Sequence, residues 1–352
     1  MIAPARGMAR PHTRFIAREG LEAAVPAEQR GIARDGVRLL VATRADLSHR
    51  RFRDLPEVLE AGDLVVVNTS ATVPAALRAE REDGQPARVH LSGWLDPAHW
   101  IVEVRRADNR GPDRGGAAGS VLRLPGGVAL TLERPHPDSA SAPTRLWVVS
   151  VTPTTEPVPY LGVHGRPIAY GHLADSLPLS AHQTVYADEP GSAEMPSAGR
   201  PFTAELLVRL MAAGITVAPL ILHAGVSSPE FHEPPAPERY SVPVSTARLV
   251  ADTRRAGRRV VAVGTTVVRA LETVAADGQI RGGEGWTDLV LEPDRPARVV
   301  SGLITGLHLP ESSHLLLLEA VAGPKMVADA YATAVDAGYL WHEFGDSMLF
   351  LP

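Results

Sequence analysis

The feature that most limits the fold is a change of texture part-way along the chain. Between about residues 75 and 155, short β-like runs follow one another with Gly, Pro and Asp punctuation. The runs are Val89-His-Leu-Ser-Gly-Trp94, Trp100-Ile-Val-Glu-Val104, Val128-Ala-Leu-Thr-Leu132 and Leu146-Trp-Val-Val-Ser-Val151. Regular short strands of this kind predict a small barrel. The Gly-rich stretch Asp108 to Gly119 reads as a flexible loop by composition. Trp94, Trp100 and Trp147 fall in this zone and read as barrel core.

On both sides of that zone, strands alternate with helices, which predicts α/β layering. Before it, Val37 to Ala42 and Asp63 to Asn68 read as strands. Asp54 to Glu60 reads as a short helix with a capping Asp54, Pro56 in its first turn and Gly62 beyond its end. After it, Thr203 to Gly214, Thr246 to Ala256, Thr265 to Ala276, Ser313 to Val321 and Val327 to Ala337 read as helices. Ile215 to His223, Arg259 to Val263 and Val299-Val300 read as strands. The expected fold class is α/β: a layered α/β domain of residues 1–74 and 156–352, with a small antiparallel β-barrel of residues 75–155 inserted.

Composition removes several chemistries. There is no cysteine, so disulfides, thiol nucleophiles and cysteine-held zinc are excluded. A cysteine-held iron–sulfur cluster goes too. Of 35 Lys and Arg residues, only Lys325 is a lysine, and it lacks the Gly-Lys-Ser/Thr setting of a phosphate loop. Metal-ligand spacing is also missing. There is no His-Glu-x-x-His, and His223 and His232 are separated by Pro229. No apolar run is long enough to span a membrane and no signal peptide is apparent, so a cytoplasmic location is expected. A net charge of -5 argues against a nonspecific nucleic-acid coat, but not against a local arginine patch.

Four segments could carry chemistry. In Val260-Val-Ala-Val-Gly-Thr-Thr-Val-Val-Arg269, a buried strand runs into Gly264, and Thr265 and Thr266 open a helix whose free N–H groups suit an anion. Arg269 lies one turn on; a capped helix with a surface arginine fits equally well. Asn68-Thr69 follows a buried strand, where ligands of α/β folds gather. Gln183, Thr184, Tyr186 and Glu189 crowd beside Pro190-Gly191. Gly302-Leu-Ile-Thr-Gly-Leu-His-Leu-Pro310 ends a strand at His308, a residue that titrates near neutrality.

Taken in order, these segments resemble the S-adenosylmethionine:tRNA ribosyltransferase-isomerases of queuosine synthesis. The resemblance runs from Arg38-Leu-Leu-Val and Phe52-Arg-Asp-Leu-Pro, through His182-Gln-Thr-Val-Tyr-Ala-Asp-Glu-Pro-Gly191 and Leu222-His223. Its strongest stretches are Val261 to Glu272, Gly285-Trp-Thr-Asp288, Gly302-Leu-Ile-Thr with His308-Leu-Pro310, and Gly345-Asp-Ser-Met348.

The resemblance implies an α/β domain with an inserted barrel, with S-adenosylmethionine as co-substrate and no metal. It implies transfer of the ribosyl part of S-adenosylmethionine to 7-aminomethyl-7-deazaguanine in tRNA, with isomerisation. On this reading Thr265, Thr266 and Arg269 hold the carboxylate or ribose end of S-adenosylmethionine. His308 and Asp288 move protons, and Asn68, Thr69, Gln183, Thr184, Tyr186, Glu189, Gly264, Trp286, Leu309 and Pro310 complete the substrate site. The chain departs from the family pattern at Asn68-Thr-Ser-Ala-Thr, Gly199-Arg-Pro-Phe-Thr203 and Pro235-Ala-Pro-Glu238. Two alternatives stay open: a relative using S-adenosylmethionine on a small molecule, and a non-catalytic binding protein on the same fold.

Overall fold

The computed structural model describes residues 9–18, 20–137, 145–169, 177–227, 234–275, 278–310 and 312–352. The expectations for His232 and Ala276 lie outside these residues.

The strands, in chain order, are β1 (Arg38–Thr43), β2 (Leu47–Arg51), β3 (Leu64–Asn68), β4 (Ser70–Thr72), β5 (Ala76–Arg81), β6 (Pro86–Asp96), β7 (His99–Arg105), β8 (Val121–Arg123), β9 (Ala129–His136) and β10 (Leu146–Thr152). They continue with β11 (Glu189–Ser192), β12 (Thr216–Leu222), β13 (Glu238–Val242), β14 (Val260–Val263), β15 (Gly283–Thr287), β16 (Gly302–Gly306) and β17 (Ser347–Leu351). The helices are α1 (Leu55–Val58), α2 (Pro157–His164), α3 (Ala204–Ala212), α4 (Val244–Arg255), α5 (Thr265–Val274), α6 (Ser313–Ala322) and α7 (Pro324–Asp336).

Nine strands form one sheet in the order β15-β13-β12-β3-β14-β16-β17-β1-β2. Its centre, β12-β3-β14-β16, is parallel. All five residues of β3 are buried, because a parallel strand is covered on both faces. Alternate side chains feed two cores. Leu64, Val66, Val260 and Ala262 pack with Val250, Val268, Leu271, Leu315 and Tyr331 of the helices on one face. Val65, Val67, Val261 and Val263 pack with Phe52, Leu55, Phe202 and Leu206 on the other. The α/β class is borne out.

Strands β5 to β10 close into an antiparallel barrel in the order β10-β7-β6-β5-β8-β9. Trp100 and Trp147 are buried in its core, and Trp94 is partly buried against it. The Asp108 to Gly119 stretch, read as a flexible loop, is tied down at two points. Arg105 donates to Asn109 Oδ1 at 2.7 Å, and Arg81 pairs with Asp113.

A short segment, residues 224–227, joins barrel and sheet. Val226 N–H donates to Ser92 Oγ of β6 at 3.0 Å, and Val226 carbonyl accepts from buried Arg145 at 3.0 Å. Arg145 is itself held by Glu103 of β7 at 2.7 Å. On the sheet side, Gly225 N–H donates to Glu238 at 2.9 Å, and Ala224 N–H to Ser192 Oγ at 3.0 Å.

Two expectations are corrected. Val299-Val300 is not a strand; the strand is β16, two residues later. The reason is the buried carboxylate of Glu272, which accepts the N–H groups of Arg298, Val299 and Val300 at 2.8–3.1 Å and so takes them out of the ladder. The helix expected over Asp54 to Glu60 is a single turn, α1, because Leu59 turns extended. Asp54 makes no side-chain cap there but accepts from Arg51 N–H.

Candidate active site

The loops that follow β12, β14 and β16 open on the carboxyl edge of the sheet and enclose a cleft of about 540 Å³. That is ample for a nucleoside-sized ligand. Strand β14 ends at Gly264, whose N–H still pairs with Ile304 carbonyl at 2.8 Å. Gly264 has φ +92°, ψ 158°, a conformation that side chains resist, and it turns the chain straight into α5. Thr265 and Thr266 therefore stand at the first turn of α5, beside amides that have no helical acceptor, and both line the cleft. Asn68 pins this corner. Its Nδ2 donates to Leu222 carbonyl at 2.7 Å and to Thr266 Oγ1 at 3.3 Å, while its Oδ1 accepts from Leu222 N–H at 3.0 Å.

His308 enters from the loop after β16. Its Nε2 lies 3.0 Å from Thr305 Oγ1, and its backbone N–H donates to Tyr331 Oη at 3.1 Å. His314, in the first turn of α6, stacks on it. Burial, and then the charges of His314 and His342, hold the His308 imidazole well below the ordinary histidine range. Burial, and then Arg269, bring His314 down to about 4. Both rings are neutral at pH 7. A neutral imidazole can accept a proton and, once protonated, pass that proton on, which suits a general base at the cleft wall.

Gly264, Thr265, Thr266, Arg269, His308, Leu309 and Pro310 meet in this cleft; other expected site residues do not. Arg269 reaches it but its guanidinium is engaged. It pairs with Glu238 and donates to the carbonyls of Leu289 at 3.1 Å and Thr287 at 3.0 Å. Asp288 is exposed and is not among the cleft residues, because Thr287 and Leu289 point inward and send the residue between them out. Gln183 spends its amide on Thr72 backbone, accepting at 3.0 Å and donating at 2.8 Å. Tyr186 is packed edge-on against Phe202 on the far face of the sheet, its pKa raised by burial. Thr184 is buried, Thr69 bonds to Leu220 carbonyl at 3.2 Å, and Glu189 is exposed on β11.

A family model described as queuosine biosynthesis protein matches residues 13–350. The chain belongs to the queuosine biosynthesis protein family.

Relatives in this family include a Synechococcus elongatus protein named S-adenosylmethionine:tRNA ribosyltransferase-isomerase, 36% identical over 91% of this chain and 90% of its own. A Thermus thermophilus protein of the same name is 37% identical over 95% of this chain and 100% of its own. A crystal structure of the S-adenosylmethionine tRNA ribosyltransferase from Thermotoga maritima matches with a TM-score of 0.53 and 30% identity, over 96% of this chain and 99% of that one.

Sequence reasoning about this family member missed several cleft residues. His182, Glu194, His314 and the neighbouring pair His342 and Glu343 all line the cleft, from four separate stretches of chain. Only Ser312-Ser-His314 carried a local signal, since Ser312 caps α6 by accepting from His314 N–H.

Proposed function

We propose that this chain is an S-adenosylmethionine:tRNA ribosyltransferase-isomerase acting in the cytoplasm. It moves the ribosyl part of S-adenosylmethionine to the amine of 7-aminomethyl-7-deazaguanine in tRNA and isomerises it to an epoxy-cyclopentane, releasing adenine and methionine. The observation that carries this reading is the meeting, in one cleft, of the α5 N-terminus with the neutral His308–His314 pair. Near-full-length similarity to relatives of that name supports it.

Within the cleft, Thr265, Thr266 and the first amides of α5 take the carboxylate or ribose oxygens of S-adenosylmethionine. His308 exchanges protons with the reacting ribosyl group or the leaving adenine, and the cleft limits water. Arg269 acts through Glu238 by holding the wall in place. Asp288 has no part in proton transfer on this geometry. The division into an α/β domain of residues 1–74 and 156–352 and an inserted barrel of residues 75–155 belongs to the same proposal.

The test is direct. The protein is incubated with S-adenosylmethionine, with and without tRNA bearing the aminomethyl base, and adenine and methionine are followed. Release only with that tRNA supports the proposal. Release without RNA points to a small-molecule acceptor, and binding without turnover to a non-catalytic role.

A further inference from the structure

A second, smaller pocket lies where the barrel meets the edge strands of the sheet. It is lined by Trp94 and Ser92 of β6, His223 after β12, Arg239 of β13 and Trp286 of β15. Ala236 and Glu238 line both this pocket and the main cleft, so one thin wall separates the two.

The hydrogen bonds behind His223 run in one direction. Ala224 N–H donates to Ser192 Oγ at 3.0 Å. Ser192 Oγ lies 2.6 Å from Ser70 Oγ, its one hydroxyl-acceptor partner among the described residues. Ser192 therefore gives its proton to Ser70. Ser70 in turn gives its own to His223 Nδ1, 2.8 Å away. The reverse order would leave a fully buried hydroxyl proton without an acceptor, since Ser70 and Ser192 are both buried. His223 Nδ1 is thus an acceptor and the ring proton sits on Nε2. Burial, and then Arg239, lower the His223 pKa to about 4, so the ring stays neutral. Gly191 leaves the ring its place: a Cβ there would come within 2.1 Å of Nδ1.

The pocket therefore presents one neutral N–H donor of fixed tautomer. Beside it is Arg239, which is exposed and has no side-chain partner among the described residues. Arg239 sits directly across from Trp286 in the β13–β15 ladder. Trp286 is 43% exposed, which leaves much of its ring open to solvent. A flat aromatic face, a guanidinium and a neutral donor are what an unpaired nucleobase with a carbonyl or ring-nitrogen acceptor needs.

We propose that this pocket receives an unpaired base of the RNA substrate, stacked on Trp286 and hydrogen-bonded by His223 Nε2–H, next to the base in the main cleft. The site rests on the functional reading above for the identity of its RNA.

The experiment has two arms. In the first, binding of a fluorescein-labelled seven-nucleotide single-stranded RNA is read by anisotropy, without S-adenosylmethionine. The proposal expects Trp286→Ala and His223→Phe each to weaken binding roughly ten-fold, the scale of one lost base stack. It also expects an abasic nucleotide at one position to cost wild type the same amount and Trp286→Ala nothing further. Wild-type affinity in Trp286→Ala, or equal penalties at every position, overturns the pocket. In the second arm, 15N–1H correlation of the imidazoles assigns the His223 tautomer; a proton on Nδ1 overturns the relay. Neither arm depends on turnover. Adenine release by wild type with tRNA separately decides the functional reading.

Discussion

The imidazole rings of His308 and His314 lie face to face, 4.4 Å between centroids and 4° from parallel. Two rings so placed cannot both be protonated without strong repulsion, and burial already disfavours the first charge. The pair is therefore a neutral unit built within one short connection, between the end of β16 and the first turn of α6.

The acid stability of the protein follows from that neutrality and from similar sites. His90 is lowered to about 3, and His223 and His314 to about 4. Each binds fewer protons folded than unfolded between those values and about 6.5. Stability is thus full above pH 6.5 and falls as pH drops toward 4. Melting temperature against pH shows this decline, and His314→Gln makes it shallower.

His308→Ala lowers the rate of adenine release at least a hundred-fold, the usual scale for a lost proton-transfer group, while leaving the melting temperature within a few degrees. Full turnover in this variant would remove His308 from the chemistry. Asp288→Asn keeps wild-type turnover, because the carboxylate is outside the cleft.

Thr266→Val separates binding from chemistry. It removes a hydroxyl at the α5 N-terminus and the contact to Asn68, but keeps the shape. The expected result is a KM for S-adenosylmethionine raised about ten-fold, equivalent to one lost hydrogen bond of about 1.4 kcal/mol, with kcat little changed. An unchanged KM would place the ligand elsewhere in the cleft.

Glu272→Ala tests a purely structural carboxylate. It strands the three N–H groups of Arg298, Val299 and Val300 in a buried setting. Denaturant unfolding should show a loss of about 3 kcal/mol. A loss under about 1 kcal/mol would mean those amides find water.

Arg269 and Glu238 should behave as one unit. Arg269→Ala and Glu238→Ala each lower stability by about 3 kcal/mol by leaving a buried partner, and the double variant is no worse than either. Additive losses would show that each residue acts through different neighbours.

Much of this architecture was legible in the sequence. The strand Asp63 to Asn68 and the Val260 to Arg269 strand-turn-helix announced α/β layering, and the spacing of the short strands announced the barrel. What was not legible is instructive. Val299-Val300 has strand composition, but a carboxylate 27 residues away claims its amides. Tyr186 and Gln183 look like ligand-binding groups, yet packing against Phe202 and pairing with Thr72 use them. Arg269 sits one turn from an anion site by spacing, but Glu238 holds it. Local pattern specifies elements; which polar group meets which is set by loops far apart in the chain.

The four residues 224–227 tie the barrel to the sheet by hydrogen bonds on both sides. The same segment borders the main cleft and abuts the wall it shares with the smaller pocket. Mechanically, the barrel is a brace and not a swinging arm. Rocking it would have to shear Arg145 from Val226 and shift Ser192, and with Ser192 the proton order that fixes His223. Any strain placed on the barrel by a bulky macromolecule would therefore arrive at His223 as a change in hydrogen-bonding polarity.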